Sequence, residues 1–205
     1  MPQATLLTGL STAFAFANGI VVDAHTCDAE GQFTKSPDVR AFMTEAAVLK
    51  LFIAWERFLE QSFLNYLMGA PSITGATVTR YLAPTSMHHA HQVLVGTQRY
   101  VDWGNPAVVK RLSQLYFDAG HPYETALAAV QSDLSDLRAI RNAAAHLSTS
   151  TSDQVDKVAL RRLGRPVVGI TVYDLVTAAG PHGGDTILQG YQNLLVATAT
   201  LIAQA

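Results

Sequence analysis

An arginine, an asparagine and a histidine stand close together late in the chain: Arg141, Asn142 and, after three alanines, His146. These residue types suit phosphate chemistry. A guanidinium presents five N–H donors in a rigid fork that matches phosphate oxygens, and it can stabilise charge developing in a transition state. Histidine changes charge near neutral pH and so serves as a general acid or base. Leu127, Val130, Leu134 and Leu137 recur at three- and four-residue steps, the period of a helix face, and the next slot on that stripe is Arg141. A charge rarely sits on a buried face without a partner or a task. Arg141 and His146 are five positions apart, roughly 140° around a straight helix, so they do not share a face. Asn142 and His146, four apart, do. Arg138, four before Asn142, either joins the same anion site or faces solvent.

The element that must position these groups is a helix over residues 123–147, which the Ser/Thr run at 148–152 stops. The longest predicted helix covers 38–68. Ser36 is its cap, Pro37 its first helical position, and Gly69 and Pro71 end it. Val48, Phe52, Trp55, Leu59, Phe63 and Tyr66 form its continuous apolar stripe, and near 46–55 it is apolar almost all round, the mark of a central bundle helix. Further helices are expected over 6–26, 86–95, 106–119, 153–163 and 185–203, and the run of Val167, Val168, Ile170 and Val172 fits a short strand. The expectation is an all-α fold: six to seven helices around the long central one, in a single domain over 1–205. Its core would span 36–147. The apolar flanking helices within 1–27 and 153–205 would complete the bundle or build a dimer interface.

Composition narrows the functional classes. At 49% hydrophobic and 15% charged residues, the chain can bury a large core. A net charge of −2 argues against a dedicated cationic coat for duplex nucleic acid, while leaving room for a local anion site. The single cysteine, Cys27, excludes an intrachain disulfide framework and fits a reducing compartment. Residues 4–22 are apolar, but no Lys or Arg occurs before Lys35, and Thr5, Thr8, Ser11, Thr12 and Asn18 dilute the run. That pattern reads as a buried or interface helix rather than a signal peptide or a membrane span, so a cytoplasmic protein with no membrane partner is expected.

The segment Arg141-Asn142-Ala143-Ala144-Ala145-His146, at the end of an apolar helix, resembles the signature of the HEPN superfamily. The upstream run AWERFLEQSFLNYL, from Ala54 to Leu67, is similar to the aromatic and acidic long helix of HEPN proteins of the RiboL-PSP type. The likeness covers residues 38–146, about half the chain. It implies an antiparallel bundle and a metal-independent endoribonuclease acting on single-stranded RNA, as a toxin or antiviral defence effector. It also implies a homodimer in which the motif helices of two subunits face each other, and an antitoxin or another protein as a further partner. In that reading the RNA 2′-hydroxyl attacks the adjacent phosphate, His146 is the general base or acid, and Arg141 holds the phosphate. Asn142 orients His146 or donates to a phosphate oxygen. Arg138, Glu56 and Arg57 supply further substrate contacts. No metal or cofactor is called for, because nucleophile and leaving group both sit on the substrate.

Other features read more plainly. Arg141 and His146 also fit a structural pair bracing a helix end, where positive groups gain about 0.3–1 kcal/mol from the dipole. A HEPN module without activity would then bind a nucleotide or a partner protein; a third reading is a helical domain unrelated to that superfamily. His88, His89 and His91 lack a nearby acid or cysteine to complete a zinc shell. The glycine-rich stretch 180–184 lacks the Lys-Ser/Thr ending of a phosphate loop. Arg161, Arg162 and Arg165 form the only basic cluster and read as a solvated face, the alternative being a guide for an RNA backbone.

Overall fold

The computed structural model describes residues 2–146, 148–180 and 183–205. Leu147, expected as the last residue of the motif helix, and Pro181 and His182 of the glycine-rich stretch lie outside the described residues. Among the described residues the chain is all-α, with nine α-helices and no strand. They are α1 Gln3–Ala24, α2 Pro37–Leu67, α3 Met87–Val95, α4 Pro106–Tyr116, α5 Tyr123–Ala129, α6 Gln131–Ala145, α7 Thr149–Leu163, α8 Val172–Thr177 and α9 Ile187–Gln204.

Local signals set most of these boundaries. The Ser36 hydroxyl accepts from the Val39 N–H at 3.4 Å, with Pro37 as the first residue of α2. Gly69 ends α2 at a φ of +83°, and Arg80 donates to the Leu67 carbonyl, satisfying one of the acceptors that a helix end leaves open. Ser86 caps α3 and Asn105 caps α4.

Three expectations are corrected. The helix predicted over 123–147 is two helices, because Val130 leaves helical geometry (φ −120°, ψ 17°) and its carbonyl starts α6 by accepting from Leu134 N–H. The Ser/Thr run opens α7 rather than merely stopping its predecessor: Ser148 and Thr151 form a reciprocal capping box. The expected strand near 167–172 is a turn leading into α8. Gly169 takes a φ of +72°, and the Gly169 and Ile170 N–H groups donate to the Asp156 carboxylate at 2.9 and 3.2 Å, so they are not free for a strand partner.

The chain divides into two compact units. Unit 1 comprises residues 1–11, 54–135 and 194–205. Its core is an aromatic cluster around the fully buried Phe63, whose ring centroid lies 4.8 Å from Phe117, 5.0 Å from Tyr123 and 5.5 Å from Trp103. Buried phenols need partners. Tyr123 pairs with the Ser62 hydroxyl at 2.6 Å, and Tyr66 donates to the Ile202 carbonyl at 2.7 Å. Burial pushes the Tyr66 hydroxyl up to about 12 and Tyr123 well above its ordinary value, so both stay neutral.

Unit 2 comprises residues 12–53 and 136–193. Leu51, Phe52, Leu137, Ile140, Val158 and Leu175 are buried in it. Asp136 is also buried, and its carboxylate pairs with both Arg161 and Arg162, the latter at 3.0 Å. Two members of the expected solvated basic face are therefore tied to a buried acid, and Arg162 also sits 4.8 Å over the Tyr191 ring. The remaining member, Arg165, is exposed.

α1 is the one described helix long and apolar enough to cross a membrane, with a mean hydropathy of 1.6 and 22% of the apolar window buried. Its buried positions, Gln3, Leu6, Leu10, Phe14, Ala17 and Ala24, fall at three-, four- and seven-residue steps along one stripe.

Candidate functional site

The buried stripe of α6 is Leu134, Leu137, Ile140 and Ala143. Arg141 follows Ile140 by one residue, roughly 100° around the axis, which places it on the flank of that seam, half-buried. It is not the next residue of the seam itself. There its guanidinium lies 5.3 Å from the centroid of the Phe52 ring, within cation–π range. Its Nη1 donates to the Asn142 Oδ1 at 2.9 Å. One of the five donors is thus used in fixing the group, and the fork is held between a ring face and an amide.

Asn142 therefore holds the guanidinium through its side chain. It meets His146 only through the backbone, its carbonyl accepting the His146 N–H at 2.9 Å. His146 is the first residue past α6 and is exposed. Its carbonyl accepts from the Thr151 hydroxyl at 2.8 Å, so the junction between α6 and α7 fixes the main chain on both sides of the imidazole. The ring itself makes no hydrogen bond with any described residue. Arg138, on the same helix, is half-buried and engaged.

The structure thus brings Arg141, Asn142 and His146 onto the last turn of α6 and the residue after it. Glu56 and Arg57, expected as substrate contacts, belong to unit 1, whereas Arg138, Arg141, Asn142 and His146 belong to unit 2. Glu56 is half-buried and engaged, and Arg57 is exposed.

Sequence reasoning placed Phe52 in the core stripe and missed its second role as the surface under Arg141. No local signal reveals that role, because the two residues lie far apart in the chain. His88 and His89 are exposed on α3, and Thr85 N–H donates to His89 Nδ1 at 3.3 Å. His91 faces Glu60 at 3.7 Å. Among the described residues no three His, Cys, Asp or Glu side chains gather as metal ligands. Compared with protein-family models, curated proteins and solved structures, the chain matches none, so the likeness to HEPN proteins rests on its own residues.

Proposed function

We propose that the chain is a metal-independent endoribonuclease of HEPN type that cleaves single-stranded RNA. The observation that carries this reading is that a held guanidinium and an imidazole unbonded among the described residues both stand at the end of α6. Arg141 is pinned by Asn142 and Phe52 yet has donors to spare, and the exposed His146 ring is unbonded among the described residues. In the proposed reaction the 2′-oxygen forms a bond to phosphorus as the bond to the 5′-oxygen breaks. One imidazole accepts the 2′-hydroxyl proton, and a proton returns to the departing 5′-oxygen. The products are a 2′,3′-cyclic phosphate and a 5′-hydroxyl. Arg141 donates to the nonbridging oxygens, where negative charge grows.

The test is cleavage of a single-stranded RNA in EDTA. His146→Ala, at an exposed position, is expected to fold normally and to lose activity by about 10²–10⁴-fold, the usual weight of a general acid or base. A substrate with 2′-deoxyribose at the scissile position should stay intact. Undiminished cleavage by His146→Ala would remove His146 from the mechanism, and no cleavage by the wild-type protein would remove the reading. The second reading, a non-catalytic binding module, is favoured by the bond between Arg141 and Asn142, which also suits a brace for the helix end. It predicts that RNA survives and that Arg141→Ala lowers the melting temperature.

A further inference from the structure

Glu60 on α2, His91 and Leu94 on α3, and Arg99, Tyr100 and Trp103 on the segment after α3 line one cavity of about 370 Å³ in unit 1. None of these side chains has a part in the proposed RNA chemistry. The cavity lies within the range of roughly 300–1,000 Å³ usual for small-molecule sites.

Its lining is chemically mixed in a specific way. Trp103 is nearly buried and its ring packs on Phe63 at 5.5 Å, so that wall is held in place, and Leu94 beside it is buried. Tyr100, by contrast, is 72% exposed. Large aromatic surface left in water beside a concavity loses burial energy that a ligand ring would recover. The Arg99 guanidinium makes no hydrogen bond or ion pair with any described residue, so its whole donor fork is available. Glu60 Oε1 lies 3.7 Å from His91 Nε2, beyond hydrogen-bond length, which leaves the carboxylate with unused acceptor capacity.

A purely apolar ligand would leave Arg99 and Glu60 desolvated without partners, which costs free energy. A simple anion such as phosphate would leave the aromatic walls uncovered. We propose that this cavity binds a small aromatic anion that also carries an N–H donor. The ring would lie against Trp103 and Tyr100, the anionic group on Arg99 and the N–H on Glu60. A nucleoside monophosphate and an aromatic amino acid share that chemistry.

Calorimetric titration of the full chain with adenosine 5′-monophosphate and with L-tryptophan separates these sources. Saturable one-site binding of either probe supports the site and names the class. Adenosine or tryptamine, which lack the anionic group, should then bind at least about tenfold more weakly than the matching probe, as should the probe to Arg99→Ala, because a charge-assisted bond is lost. Glu60→Gln keeps size and removes charge, and it should weaken the probe while leaving the melting temperature near wild type. Failure of both probes to bind at millimolar concentration overturns the proposal, as does binding to Arg99→Ala at wild-type strength. The outcome is independent of RNA cleavage, which is read with His146→Ala in a separate assay.

Discussion

Glu45 sits half-buried on α2, and burial raises its carboxyl above the ordinary value. Below the ordinary carboxyl pKa both the folded and unfolded states hold the proton, and no penalty arises. Above the raised folded value both have lost it, and the folded state carries a partly desolvated charge. Stability is therefore expected to fall as pH rises across that window. Glu45→Gln should melt higher than wild type at pH 7, and the gap should close near pH 4; a gap that is constant with pH would show that the charge is not the cause. Asp136 is the opposite kind of residue, an acid whose burial is matched by two arginines. Asp136→Ala leaves Arg161 and Arg162 without their acceptor and is expected to cost about 1–3 kcal/mol in urea unfolding, at the lower end because Arg161 is half-exposed.

At the scale of elements, the C-terminus of α2 is a designed stop. A side chain at Gly69 would meet two strains together. The φ of +83° disfavours any L side chain, and a Cβ there would come within 2.7 Å of the Arg80 guanidinium that caps Leu67. Gly69→Ala is expected to destabilise the chain by more than about 1 kcal/mol, measured as a shift in the urea midpoint. An unchanged midpoint would mean that neither the turn nor the cap matters. This stop was legible in the residues, since Gly69 and Pro71 follow an apolar helix. The break between α5 and α6 was not. No glycine or proline marks Val130, and the spacing of Leu127, Val130, Leu134 and Leu137 fits one continuous helix equally well. The missed break and the misplaced Arg141 have a common origin. A stripe extrapolated through three- and four-residue steps offers either Ile140 or Arg141, and only packing chooses the apolar one.

For the whole molecule, the proposed activity calls for two copies of the motif. On that reading, which the resemblance to HEPN proteins suggests, we propose that a site using both Arg141 and His146 is completed by a second chain related by a two-fold axis. Sedimentation should then give twice the 22.0 kDa chain mass. Mixing Arg141→Ala with His146→Ala should restore about a quarter of wild-type cleavage, since random pairing makes half the dimers mixed and each mixed dimer regains one of two sites. A mixture as inactive as its components would place both groups of each site on one chain. The sequence by itself determined the all-α class, the long central helix to within a residue of each end, and the Ser36 cap that opens it. Those features depend on a 3.6-residue period and on side chains that bond their own backbone a few positions away. The tertiary structure alone decided that Arg161 and Arg162 answer Asp136, that the Phe52 ring lies under Arg141, and that Glu60, His91 and Arg99 line one cavity. Those pairings join residues tens of positions apart, where periodicity carries no information and only the packing of one helix on another sets the distance.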